Sequence, residues 1–251
     1  LGAARDMHVW ITADGVTHHT HQRSVEANLD FRALQRNVPK WTQHSRAVFS
    51  GQYPGGVTYL LVSSWSRNLA GELEAIHPII DGLAPSDKLI LDMRGNSGGD
   101  ESIARALAER FVEKSVVYAK NRNRDASRPG GFTKVYDRRL TPSRNRKPFH
   151  GRIAVLTGPV NMSSCEAFLL MMRRVPNCKL IGGKTYGSSG NPKPAALANG
   201  GTVYLPSWEA MDADGNVFEG KGISPDIQVD WVASTAEGPV IEAALKYLQA
   251  K

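Results

Sequence analysis

Three short stretches hold residues that could do chemistry on a carbonyl group. Asp92-Met93-Arg94-Gly95-Asn96-Ser97-Gly98-Gly99 lies between an apolar run and a helical pattern. Glycines at such a place let the backbone approach a ligand and turn N–H groups inward, as a developing oxyanion requires. A tight strand–helix turn accounts for them equally. Asn161-Met162-Ser163-Ser164-Cys165-Glu166 follows a second apolar run and opens another helix. A hydroxyl there is exposed at a sheet's edge, and the helix N-terminus favours negative charge nearby. The same residues also read as an N-cap with a glutamate behind it. Gly182-Gly183-Lys184-Thr185-Tyr186-Gly187-Ser188-Ser189-Gly190-Asn191-Pro192 is a glycine-rich loop, by default a binding loop. His8 and His77 stand singly, and His18, His19 and His21 form a cluster without a Cys or carboxylate in ligand spacing.

The elements that must position these loops are legible. Val57–Val62, Lys88–Asp92, Arg152–Thr157, Leu180–Gly182 and Thr202–Leu205 read as strands, the first three fully buried. Helical spacing predicts helices over Leu69–Leu83, Ser102–Lys114, Ser163–Arg174 and Pro239–Leu248. Asp14-Gly15 between β-rich runs predicts an N-terminal hairpin in which Trp10 faces His19 and His8 faces His21. Residues 23–50 read as irregular with a short helical piece. Strand–helix alternation predicts a layered α/β fold with largely parallel strands, and ligand sites in such sheets lie beyond the carboxyl ends of the strands. The expected division is a hairpin with its connecting segment over 1–56 and a core over 57–251.

The 251 residues suffice for a core without staples. Two cysteines, Cys165 and Cys178, exclude a disulfide scaffold or a four-cysteine zinc site. No apolar run approaches the ~20 residues of a membrane span. Leu1 in place of an initiator Met suggests a processed or trimmed chain. The net charge of +7 is not spread evenly: ten basic residues between Lys120 and Lys147 face only Asp125 and Asp137, and the remainder is near neutral. That stretch reads as an exposed basic loop, solvated or attractive to an acidic substrate or a carboxylate. This distribution argues against nucleic acid as a partner.

Together, the three stretches resemble the C-terminal-processing (tail-specific) serine peptidases, a family with a ClpP/crotonase-like spiral of ββα units. The resemblance runs from about Tyr59 to Val229. It places Ser163 at the nucleophile, while the lysine base of the best-known branch, 25 residues further on, is replaced by Ser188. Lys184 and Lys193 are out of register. The chain is therefore more similar to the lysine-less, tricorn-core branch, which uses Ser and His. There Asp6-Met7-His8 resembles the element ending in the catalytic His, and Phe218-Glu219-Gly220-Lys221-Gly222-Ile223-Ser224-Pro225-Asp226-Ile227 the late element carrying a supporting Glu. Met7 stands where that branch has a supporting Ser. The family's PDZ module has no room in the roughly 50 residues before Tyr59.

The resemblance implies a serine peptidase acting on peptide bonds of a peptide or protein substrate, with cleavage near substrate C-termini as the narrower expectation. Ser163 is the expected nucleophile, His8 the base and Glu219 its support. Gly98 or Gly99 with Ser164 form the oxyanion hole, and Ser188 and Gly187 lie near bound substrate. No metal or cofactor is required. A non-catalytic carrier on the same scaffold, like the retinoid-binding relatives, is the alternative, and an acyl-CoA enzyme of the wider superfamily a weaker one. Exported homologues suggest a periplasmic or extracellular location.

Overall fold

The computed structural model describes residues 7–19, 21, 23–230 and 238–250. In chain order its elements are β1 (Trp10–Ala13), β2 (Val16–His19), α1 (Phe31–Asn37), β3 (Thr42–Gln43), β4 (Val48–Tyr53), β5 (Val57–Val62), α2 (Ala70–Leu73), α3 (Ile76–Asp81), β6 (Lys88–Asp92), α4 (Glu101–Ala108), β7 (Val116–Asn123), β8 (Tyr136–Leu140), β9 (Ile153–Thr157), α5 (Ser164–Met172), β10 (Cys178–Gly182), β11 (Pro192–Ala196), β12 (Thr202–Pro206), β13 (Trp208–Asp212), β14 (Ile227–Gln228) and α6 (Gly238–Gln249).

A seven-stranded sheet in the order β14-β10-β9-β6-β5-β4-β3 forms the centre, parallel from β14 to β5 and antiparallel beyond. Its inner parallel strands β5, β6 and β9 are almost wholly buried because both faces are covered. The pleat sends Leu89, Leu91, Ile153 and Val155 into a core shared with α4 and α5, and Ile90, Ala154 and Leu156 into a second core shared with α1 and α6. This is the layered α/β fold expected from the alternation of elements. Among the described residues, no helix is long and apolar enough to cross a membrane.

Three local expectations change. The helix expected over Leu69–Leu83 is broken into α2 and α3, because Pro78 has no N–H to return to Glu74 O, which accepts from His77 N–H instead. The basic stretch expected as a loop contains the end of β7 and all of β8, which with β13 make a three-stranded antiparallel sheet. Its strands were masked because the residues turned inward, Asn121 and Arg138 among them, give little hydrophobic alternation. β3 and β4, inside the segment set apart from the core, belong to the central sheet, and β4 pairs with β5 across the expected boundary at 56/57.

The hairpin forms in the expected register, with Trp10 opposite His19 and Asp14 and Gly15 at φ 50° and 75°, as a two-residue primed turn requires. Its other edge is filled by β12, where Trp10 stacks on Tyr204 at 4.6 Å, so β1 is an inner strand of a sheet ordered β11-β12-β1-β2. The ladder ends at Trp10 and His19, so the expected His8–His21 pair is not part of it. His18 and His19, adjacent on β2, point to opposite faces and cannot share one ion. Asp6, Thr20 and Gln22 lie outside the described residues.

The strand that ends at the site is anchored by a buried ion pair. Arg94 and Asp92 are both fully buried, joined by Arg94 Nη2 to Asp92 Oδ2 at 2.6 Å and Nε to Oδ1 at 3.0 Å. Tyr59 OH donates to the same carboxylate at 2.7 Å, and Arg94 Nη1 reaches Asn28 O at 3.0 Å. Removing one partner strands the other charge in the core. Arg94→Met is expected to lower stability by about 3–5 kcal/mol, read from the denaturant midpoint at unchanged m-value.

Candidate active site

β6, β9 and β10 are adjacent parallel strands, so the loops that follow them emerge side by side at one edge of the sheet. These are the three stretches picked out in the sequence. Asn161, fully buried, ties them together. Its Nδ2 donates to Met93 O and Asn96 O at 2.5 and 3.0 Å, its Oδ1 accepts from Gly158 N–H at 2.7 Å, and its O accepts from Tyr186 N–H at 2.9 Å. Its role was not legible, since an Asn in a turn has many local uses.

Ser163 stands at the N-cap position of α5 with φ 56° and ψ −127°, and its side chain caps nothing. A non-glycine residue at positive φ is strained by ~1–3 kcal/mol, and here it sits on a sharp strand-to-helix turn. The reading of Ser163 as a helix cap is therefore set aside. Ser164 is also not a cap: its Oγ donates to Gly99 O at 2.6 Å. Gly98, at φ 104°, packs directly over this turn. A Cβ on it would lie 2.8 Å from Met162 O and 3.1 Å from both Ser163 Cβ and Ser164 N, so a side chain would cover the Ser164 N–H. Gly98 N–H itself is taken by Asn96 Oδ1 at 2.8 Å. Of the two glycines expected to serve an oxyanion, Gly99 is the one not committed in this way.

His8 comes to the same place from the far end of the chain. β1 pairs with β12, and β11, next to β12, begins where the third loop ends, so His8 is set down against that loop. Its Nδ1 is 2.8 Å from Ser188 Oγ and accepts from Gly190 N–H at 3.1 Å. Ser188 O in turn accepts from Ser163 N–H at 2.6 Å. The described bonds thus place Ser188 between Ser163 and His8, and Ser163 Oγ makes no hydrogen bond to either. Glu219 accepts from Ser189 N–H and Oγ at 2.8 and 3.1 Å. Gly187 is turned inward, its N–H on Glu166 and its O on Gly220 N–H.

Glu166 is the group that the sequence hid. It reads as a capping glutamate, yet it is fully buried and accepts from Thr185 Oγ1 at 2.5 Å, Gly187 N–H at 2.8 Å and Ser188 N–H at 2.9 Å. It holds the backbone that carries Ser188. Burial pushes its carboxyl up to about 7 against the three donated bonds, with Glu219's charge adding to the rise. A raised folded-state value means that the native protein holds a proton the unfolded chain has lost. Stability from this group is full below the ordinary glutamate range and declines up to about pH 7. The wild-type unfolding free energy should therefore fall by about 3 kcal/mol between pH 4.5 and 7.5 relative to Glu166→Gln, seen as diverging denaturation curves. Parallel pH slopes would show that Glu166 is ionised throughout.

Ser163 opens onto a cavity of about 510 Å³ between α5 and the β13-β7-β8 sheet. Ala167, Leu170 and Phe218 supply apolar wall, and Ser189, Trp208 and Arg138 complete the side facing Ser163. The Trp208 indole N–H donates to Ser189 O at 2.5 Å.

The family model for peptidase family S41 matches residues 56–229. The chain belongs to peptidase family S41. Among S41-like sequences it is 25% identical over 194 residues to the "Probable CtpA-like serine protease" of Staphylococcus epidermidis, covering 76% of this chain and 37% of that protein. It is 30% identical over 159 residues to the nisin-resistance protein of Lactococcus lactis, covering 59% of this chain and 48% of that one. The chain thus spans less than half the length of these relatives. A crystal structure from Parabacteroides merdae superposes over 98% of this chain and 79% of that one at TM-score 0.80 and 22% identity. The photosystem II D1 C-terminal processing protease superposes at TM-score 0.55 and 19% identity, over 79% and 49% of the two chains. The tricorn protease does so at 0.52 and 18%, over 77% and 18%. At these identities the structural likeness is one of fold, and it agrees with the S41 fold.

Proposed function

We propose that this S41 chain is a serine peptidase in which Ser163 is the nucleophile, Ser188 and His8 carry its proton, and backbone N–H groups of Gly99 and Ser164 hold the oxyanion. The observation that carries this reading is Ser163 itself: a strained serine at a helix N-terminus, facing a cavity, with an uncommitted hydroxyl. Strain kept at a site with no structural use is the signature of function.

A serine hydroxyl attacks poorly without a base. Gly190 N–H facing Nδ1 selects the His8 tautomer protonated at Nε2, leaving Nδ1 to accept. As Ser163 Oγ bonds to the substrate carbonyl carbon, its proton passes to Ser188 Oγ and the Ser188 proton passes to His8 Nδ1. The charged oxygen meets the Gly99 and Ser164 N–H groups, reinforced by the α5 N-terminus. Nδ1 then returns its proton to the leaving amine, and water repeats the sequence on the acyl-enzyme. Protonated Nδ1 no longer accepts from Gly190, so the loop must yield slightly in each cycle. Glu219 and Glu166 support that loop from two sides. Cleavage near substrate C-termini is the narrower part of this reading, by analogy with the D1 C-terminal processing protease.

Exposure to a fluorophosphonate between pH 6 and 9 tests the reading. Stoichiometric phosphonylation of a single serine peptide, identified as that of Ser163 by mass spectrometry, is the expected result. A protein that stays unmodified while binding an apolar ligand would be the carrier.

A further inference from the structure

The cavity beside Ser163 is lined by two basic and two acidic side chains, Arg67, Arg138, Asp100 and Glu101, but one of its acids is shared with a cation outside it. Arg138, on β8, is nearly buried and ion-paired to Glu101, with its guanidinium over the rings of Tyr118 and Trp208 at 5.2 and 5.1 Å. The same Glu101 Oε1 also accepts from Arg105 Nη2 at 3.3 Å and Tyr118 OH at 2.6 Å. One carboxylate thus serves two guanidiniums, and Arg105 Nε is buried without a partner among the described residues. Among the described residues Arg67 has Asp100 to itself, so Arg138 is the lining cation whose carboxylate is shared.

The β7–β8 hairpin adds cations with no such partner. Arg122 and Arg124 both lie over Phe132, at 4.2 and 5.1 Å, but only Arg122 has a carboxylate, Glu209 at 2.6 Å. Arg124 and Lys134 have no ion-pair partner among the described residues. This tip stands beside the catalytic loop: Arg124 N–H donates to Ser207 O at 2.9 Å, and Ser207 N–H to Gly190 O at 2.9 Å. Stacking on a ring holds a guanidinium in place without neutralising it.

Building on the peptidase reading, we propose that the substrate segment is acidic: one side-chain carboxylate enters the cavity against Arg138, and others pass along Arg124 and Lys134 at the hairpin tip. A carboxylate arriving there gives Arg138 a second acceptor while Glu101 remains on Arg105, and the field of the unpaired Arg124 and Lys134 raises its local concentration.

The test uses internally quenched peptides with acetylated and amidated ends, so that no terminal carboxylate is present, in which Glu, Gln or Leu is scanned through the positions flanking the cleaved bond. At low salt, kcat/KM for at least one Glu position is expected to exceed its Gln counterpart by about 10–100-fold, shrinking as salt screens the field. Arg138→Gln should erase the preference at the cavity position, and Arg124→Gln, on the surface, should weaken it at a more distant one. Fluorophosphonate labelling should persist in both variants, which separates loss of specificity from loss of fold or chemistry. Equal cleavage of Glu, Gln and Leu peptides, a preference seen only with a free C-terminal carboxylate, or a preference unchanged in both variants overturns the proposal. If no peptide is cleaved, fluorescence anisotropy with the same labelled peptides on Ser163→Ala decides it: tighter binding of the acidic peptide supports it, and equal binding overturns it.

Discussion

Ser163→Ala is expected to remove fluorophosphonate labelling and to lower peptide hydrolysis by on the order of 10⁶-fold, the loss seen when a serine enzyme's nucleophile is deleted. The fold should not notice. Among the described residues Ser163 Oγ makes no hydrogen bond that alanine would forfeit, and alanine keeps the Cβ and therefore the strain at φ 56°. Ser163→Gly should be equally inactive and yet more stable, by roughly 1 kcal/mol, because glycine is at ease at positive φ. An inactive, stabilised variant is what a strained nucleophile predicts and what a structural serine does not. Peptide hydrolysis with a denaturant midpoint for each variant makes the check. Retention of activity in Ser163→Ala would move the nucleophile elsewhere.

The second large effect lies at the proton path. His8→Ala is expected to lower kcat/KM by about 10²–10⁴-fold, the range of general acid–base assistance. Ser188→Ala should fall nearly as far, since Ser188 Oγ at 2.8 Å is the group that touches His8 Nδ1. The double variant should be little worse than either single one, because groups acting as one unit are not additive. Losses that multiply would mean that Ser188 and His8 act separately, with His8 reaching Ser163 directly once substrate closes the site. Glu219→Gln should matter less than either, since glutamine keeps an oxygen that can accept from Ser189 N–H.

The parallel strands and the helices between them were legible because burial on both faces writes itself as short apolar runs of fixed length. Val57–Val62 and Lys88–Asp92 appear with the bounds read from the sequence. Val48–Tyr53 was missed: with Ser50, Gly51 and Gln52 in its middle it lacks that signature, and pairing with β5 makes it a strand. β8 was missed for a related reason, its arginines being paired or stacked within a sheet that no local pattern announces.

The sequence alone pointed to the family and the layered fold and singled out Ser163 as the candidate nucleophile, because each is carried by residues that are neighbours in the chain and obey local rules of turn, cap and period. Tertiary structure decided everything that depends on distance along the chain. It set His8 against Ser188, 180 residues away, by pairing β1 with β12, and it turned Glu166 from a helix cap into a clamp on a distant loop. It also brought Arg138 to the wall of the cavity that Ser163 faces. Side-chain chemistry is encoded one residue at a time, but which groups meet is fixed by strand order and loop convergence, and those follow from the burial of the whole sheet.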